Sequence, residues 1–265
     1  MNRKLDTYRW LTSPAAQRRL STAAAMLRSE GVLRTTQRLR KDLSPEQSAA
    51  VLEQVQLRVR AEKKFSQASQ LFFRDVGLQQ ATSEVVASYK AMNFPKDAPV
   101  RDLCCGIGGD LFALAGRGPV IGIDRDEITA LLATANCQAL DLPHAEVRAD
   151  DVTQIPLDSS HWIHIDPDRR PQGRRTTSVS RHEPSDEFLN PAADVAQAWK
   201  ESCTLEWISH DRECKQQIAW FGEAAAGRAR RCATKLQDDG SANSLEDDNG
   251  TEFPSTCVNI GAFVY

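Results

Sequence analysis

Apolar positions recur at helical spacing through the first part of the chain. Val51, Leu52, Val55 and Val59 fall on one face of a 3.6-residue period. Ser13-Pro14 predicts a helix start with proline in the first turn, where its missing N–H costs nothing. Ser44 and Gln47 have the spacing of a capping box, which predicts a second start. Residues 12–64 therefore read as helical, and 65–95 as shorter helices. Thr82-Ser83-Glu84 predicts another N-terminus, with a hydroxyl cap and an acid at the positive end of the helix dipole.

At Pro99 the pattern changes to short apolar runs. Val100-Arg101-Asp102-Leu103 reads as a strand entering glycines, Asp110 to Ala115 as a helix, and Val120-Ile121-Gly122-Ile123 as a buried strand ending at Asp124. Ile128 to Leu140 reads as a helix. Ala145 to Ala149 and His161 to Ile165 read as strands, the second ending in Asp166-Pro167. Alternating strands and helices predict an α/β fold, a Rossmann-like parallel sheet with helices on both faces, preceded by an N-terminal helical region.

Beyond residue 202 the texture shifts again. Leu205 to Ser209, Gln217 to Phe221 and Arg231 to Leu236 read as strands in antiparallel pairs at a sheet edge. Residues 237–256 hold six acids and neither Lys nor Arg, which predicts a disordered linker. The expected organisation is a helical region at 1–90, an α/β domain at 91–236, an acidic linker at 237–256 and the entry to a further domain at 257–265.

Charge refines this picture. The net charge of −3 divides into +8 over residues 1–64 and −11 over the rest. A second basic cluster comprises Arg169, Arg170, Arg174, Arg175 and Arg181. Basic patches on an acidic protein suit a polyanion such as RNA. The seven cysteines contain no Cys-x-x-Cys pair, so reduced thiols and a cytoplasmic setting are expected. The five histidines lack metal-ligand spacing, and no apolar run is long enough to cross a membrane, so neither a metal nor a membrane is expected.

Candidate chemistry centres on Asp102-Leu103-Cys104-Cys105-Gly106-Ile107-Gly108-Gly109-Asp110. A glycine turn after a first strand lets backbone approach a ligand closely. The spacing differs from the Gly-x-Gly-x-x-Gly of dinucleotide sites. Asp102 and Asp110 make the surroundings acidic, which repels pyrophosphate and attracts an ammonium or sulfonium cation. Asp124 at the next strand end suits a ribose diol, and Asp150 or Asp151 an adenine amino group. Asp166-Pro167 ends the fourth strand, where a carboxylate can orient an amine, and Arg169 and Arg170 can grip phosphates. Cys104 and Cys105 read as small turn residues, and Trp207, Trp220 and Phe221 as strand core.

The stretch 65–124, with Gln80 to Glu84, Asp102 to Asp110 and Val120 to Asp124, resembles bacterial class I S-adenosylmethionine-dependent methyltransferases that carry a C-terminal THUMP-like domain. More distantly it is similar to the trimethylguanosine synthase group. Asp166-Pro167-Asp168-Arg169-Arg170 resembles the family's version of the amino-group methyltransferase motif, and the stretch from Glu206 to Gly222 its late hairpin. The resemblance implies S-adenosylmethionine bound near Thr82, Asp102, Cys104, Gly106, Asp124 and Asp151, with Asp166 and Pro167 at the methyl acceptor, and Gly108 of the glycine turn is a further expected cofactor contact. Relative to the family the stretch between Pro167 and Cys203 is short, so a central strand is expected to be missing. Gly261 to Tyr265 resembles the entry to an absent THUMP-like domain. The leading expectation is methylation of a nucleobase nitrogen in RNA. The alternatives are a non-catalytic relative that binds RNA or a protein, and a small-molecule methyltransferase.

Overall fold

The computed structural model describes residues 2–156, 161–166, 203–247 and 260–264. Three helices open the chain: α1 (Arg3–Leu11), α2 (Pro14–Leu39) and α3 (Pro45–Ala61). The capping box at Ser44 is present, with the Gln47 N–H donating to the Ser44 hydroxyl at 3.2 Å and the Ser44 N–H to the Gln47 side chain at 3.1 Å. Within α2 the backbone breaks at Gly31, where φ is 76° and ψ is 175°, a conformation glycine reaches without a Cβ penalty. Two short helices follow, α4 (Asp75–Gln80) and α5 (Glu84–Met92).

The α/β region contains β1 (Val100–Leu103), α6 (Gly109–Ala115), β2 (Val120–Asp124), α7 (Glu127–Ala139), β3 (Ala145–Ala149) and β4 (Trp162–Ile165). After it come β5 (Cys203–His210), β6 (Glu213–Phe221), β7 (Arg231–Leu236), β8 (Ala242–Asp247) and β9 (Ile260–Val264). The nine strands of the described residues form one sheet in the order β3-β2-β1-β4-β9-β6-β5-β7-β8. The first four are mutually parallel, with Leu103 opposite Ile123 on one side and Ile165 on the other. Strand order reverses between β1 and β4, so a crevice opens at their carboxyl ends.

The far half of the sheet departs from expectation in three ways. β5 and β6 pair antiparallel, but β7 joins β5 in parallel. Ala242–Asp247, inside the expected disordered linker, forms β8 antiparallel to β7, because ladder hydrogen bonds satisfy its backbone despite the acidic composition. Ile260–Val264, expected to begin an absent domain, instead inserts between β4 and β6. The apolar tail thus fills the position beside β4 where a central strand was expected to be missing. Cys104, Cys105, Cys137 and Cys232 are free thiols. Cys214 is disulfide-bonded, against the expectation of thiols throughout.

The helical region is not a separate lobe. Leu5, Leu11, Leu20, Val51 and Val55 pack with Phe72 and with Ile128 and Leu132 of α7. The irregular segment Leu71–Phe73 is held by two buried amides. Asn136 accepts from the Phe72 N–H at 2.7 Å and donates to the Phe72 and Ile107 carbonyls at 3.0 Å each. Gln54 accepts from the Phe73 N–H at 3.1 Å. No helix among the described residues is long and apolar enough to cross a membrane.

Candidate active site

A cavity of about 960 Å³ opens at the carboxyl ends of β1, β2 and β4, a size that suits a small organic ligand. Its walls come from the segment before α5, the glycine loop, the ends of β2 and β3, and the β5–β6 hairpin. The region expected to be a distinct helical unit therefore supplies one wall, including Lys63, Gln80 and Thr82.

The glycine loop turns sharply after Leu103. Cys104 adopts φ 62°, a left-handed conformation uncommon for a residue with a Cβ, and Gly106 adopts φ 57°. A Cβ added at Gly106 would meet nothing within 4 Å, so open space adjoins the backbone there. Gly108 behaves differently. It does not line the cavity, and an added Cβ would lie 2.3 Å from the Phe112 ring, so its absent side chain serves packing against α6 rather than a ligand.

Asp124 stands at the end of β2. Its Oδ2 accepts from the Gly106 N–H at 3.1 Å and its Oδ1 from the Asp126 N–H at 2.9 Å, which fixes the carboxylate and leaves lone pairs for a diol. Burial raises its pKa, and the two backbone donors offset only part of that. Asp150 and Asp151 follow β3. Asp150 accepts from the Asp151 N–H at 2.8 Å. Asp151 caps the 3₁₀ turn Val152–Gln154 through Thr153, at 2.9 Å to its N–H and 2.8 Å to its hydroxyl. One Asp151 oxygen is thus a structural cap, and both residues line the cavity.

Asp102 and Asp110, expected at an acidic mouth, form its floor. They are 1% and 8% exposed and belong to a buried ionic network that the sequence reading missed. Lys90 of α5 lies 2.6 Å from Asp110 Oδ1. Thr82 donates its hydroxyl to Asp110 Oδ2 at 2.7 Å. His164 of β4 places Nδ1 2.6 Å from Asp102 Oδ1, and Nε2 3.4 Å from the Lys90 ammonium. Burial pushes the Asp110 pKa up, but Lys90 and His164 outweigh it and hold the carboxyl below its ordinary value. Burial likewise disfavours a charged His164, yet Asp102 and Asp110 prevail and raise its pKa. Asp102 is pushed up by burial, with partial relief from His164. Asp110 is consequently neutralised by Lys90, while Asp102 retains a buried Oδ2 with no donor among the described residues.

Asp166 lies beside the cavity beyond β4, and its Oδ2 accepts from the Gln216 side chain of β6 at 3.2 Å. Pro167, Arg169 and Arg170 lie outside the described residues. Burial drives the Cys104 thiol pKa far up, with Asp124 and Asp102 adding to it, so this thiol is no nucleophile. Trp220 is fully buried, as expected for strand core. At the hairpin tip His210 places Nε2 3.0 Å from Asp238 and Nδ1 3.5 Å from Asp211, so carboxylates face both ring nitrogens. His164, Lys90 and Gln216 carried no local motif; each joins the site only through packing between distant segments.

The residues present fit S-adenosylmethionine. A buried Asp102 oxygen with no donor among the described residues suits its methionine ammonium, the open backbone at Gly106 admits its close approach, and Asp124 suits its ribose. Residues 4–61 match a family model described as a domain of unknown function (DUF8688). An uncharacterised S-adenosylmethionine-dependent methyltransferase of Mycobacterium tuberculosis, strain H37Rv, is 34% identical over 127 residues, 48% of this chain and 34% of the relative. Its counterpart in strain CDC 1551 matches to the same extent. The match therefore spans about a third of the length of these curated relatives. A solved structure from Porphyromonas gingivalis W83, described as a candidate methyltransferase, superposes with a TM-score of 0.53 at 25% identity, covering 66% of this chain and 50% of that one. The fold of this chain is that of the class I methyltransferases.

Proposed function

We propose that the chain is an S-adenosylmethionine-dependent methyltransferase acting on a nucleobase nitrogen in RNA, in keeping with the resemblance to the THUMP-like-domain family. The observation that carries the cofactor reading is the Asp102 carboxylate. It lines the cavity at the strand-order reversal with one oxygen lacking a donor among the described residues, and Asp124, suited to a diol, lines the same cavity. The cofactor would supply a methyl group already activated by its sulfonium.

The remaining work falls to this chain's residues. Asp166, steadied by Gln216, can accept a hydrogen bond from an exocyclic amine and hold its lone pair toward the methyl group. Lys63 on the cavity lining offers a contact for a phosphate-bearing acceptor, while Arg74 and Lys215 there are already paired, with Asp126 at 2.7 Å and Glu213 at 2.8 Å. The net +8 of residues 1–64 extends that attraction beyond the cavity.

Titration calorimetry with S-adenosylmethionine and S-adenosylhomocysteine tests the cofactor reading. Binding should weaken at least about tenfold in Asp124→Ala, the loss expected for hydrogen bonds to a charged group. No binding by folded wild type would overturn it. Transfer of labelled methyl onto RNA tests the substrate reading. Asp166→Ala should abolish transfer while cofactor affinity persists, and transfer should fall as salt rises. Unchanged transfer in that variant would remove Asp166 from the acceptor site.

A further inference from the structure

Four ionisable groups meet beneath the glycine loop, each from a different element. Asp102 comes from β1, Asp110 from α6, Lys90 from α5 and His164 from β4, and all are at least nine-tenths buried. The Phe94 ring closes one side, its centroid 6.4 Å from that of His164. The nearby thiols of Cys105 and Cys137 are driven up by burial, the latter to about 12, and carry no charge at neutral pH.

Charge balance in this cluster is close. Two carboxylates face one ammonium and one imidazole, so the cluster is neutral when His164 is protonated. Asp110 is spent on Lys90 at 2.6 Å. Asp102 meets His164 through Oδ1 alone, and its Oδ2 has no partner among the described residues. A ligand ammonium arriving at that oxygen would bring an extra positive charge to a buried cluster, where uncompensated charge is expensive. The cluster can return to neutrality by losing the His164 proton. The neutral ring keeps its Nδ1–H on Asp102, and Nε2 becomes an acceptor facing Lys90 at 3.4 Å.

We propose that His164 is a positioning residue for the cofactor: it fixes Asp102 by one oxygen, leaves the other for the methionine ammonium, and releases its proton when that ammonium binds. The inference rests on the cofactor reading above. It makes cofactor affinity proton-linked, rising as pH rises toward the His164 pKa by up to about tenfold per pH unit.

The test is calorimetry at neutral pH with S-adenosylhomocysteine in two buffers, phosphate and Tris, whose ionisation enthalpies differ. The buffer dependence of the heat gives the protons released. Wild type should release a large fraction of one proton with S-adenosylhomocysteine and none with 5′-methylthioadenosine, which lacks the amino-acid end. That comparison needs no variant. In His164→Gln, proton release should vanish and affinity should become flat between pH 6 and 8, roughly the imidazole titration range. Equal release with both ligands, or release undiminished in His164→Gln, overturns the proposal. Tight binding of S-adenosylhomocysteine without proton release overturns it while leaving the cofactor reading intact. Failure of either ligand to bind overturns the cofactor reading itself.

Discussion

Gly108 adopts φ 102°, and a Cβ there would fall 2.3 Å from Phe112 Cε1. Both the backbone conformation and the ring oppose a side chain. Gly108→Ala should lose about 2–4 kcal/mol, combining strain in a disfavoured conformation with overpacking, as read by urea unfolding. Cys104 is the converse case. It pays for a left-handed φ of 62° while carrying a side chain that lines the cavity. Cys104→Gly should therefore cost little or even add up to about 1 kcal/mol in the same measurement. A large loss would show that its packing with Leu103 and Ile165 outweighs backbone strain.

Glu206 is the comparable feature among elements. It is fully buried in β5 and collects donors from three directions: the Tyr89 hydroxyl of α5 at 2.5 Å, the Trp220 indole of β6 at 2.7 Å, and the Thr234 hydroxyl of β7. Arg228 adds its charge at 3.5 Å and stacks over the Trp220 ring at 4.6 Å. One carboxylate thus ties the late strands to the helix that carries Lys90. Glu206→Ala leaves those donors buried and unpaired and should cost about 3–5 kcal/mol in thermal or denaturant unfolding. Asn136 plays a parallel part for the glycine loop, since it donates to the Ile107 carbonyl as well as bonding Phe72. Asn136→Ala should both destabilise the fold, by about 1–3 kcal/mol per group left unsatisfied, and weaken cofactor binding through the loosened loop.

Over the whole molecule the buried ionic network makes stability depend on pH at both ends. Lys90 and His164 outweigh burial and hold Asp110 below its ordinary 3.8, so its contribution is present above that value and is lost as pH falls through the folded pKa. His164 is raised above 6.5, so its contribution is present below 6.5 and is lost as pH rises through its folded pKa. Unfolding free energy should therefore decline on the acid side and on the alkaline side of neutrality. Asp110→Asn should remove part of the acid decline while lowering stability at pH 7, because Lys90 is left without its counter-ion. His164→Gln should flatten the alkaline decline. A profile of the same shape in both variants would show that other groups govern it.

The local sequence determined the parts whose physics is local. The capping box at Ser44, the helical period of α3 and the alternation of apolar strands with helices from Val100 to Ile165 each depend on near neighbours, and the structure has them where the pattern placed them. The glycine loop and Asp124 were legible for the same reason, because a strand end followed by residues without Cβ atoms implies a turn that exposes backbone. Tertiary structure decided everything that required distant segments to meet. Composition made 237–256 look disordered, yet Ala242–Asp247 pairs with β7, since ladder hydrogen bonds are formed by backbone and are indifferent to acidic side chains. The apolar tail at Ile260–Val264 enters the sheet beside β4, a pairing that sequence separation hides. Lys90, Asp102, Asp110 and His164 look like scattered charges along the chain. Only packing buries them together, and burial removes the water that would otherwise screen each from the others, which turns four separate residues into one ionic unit beneath the cavity.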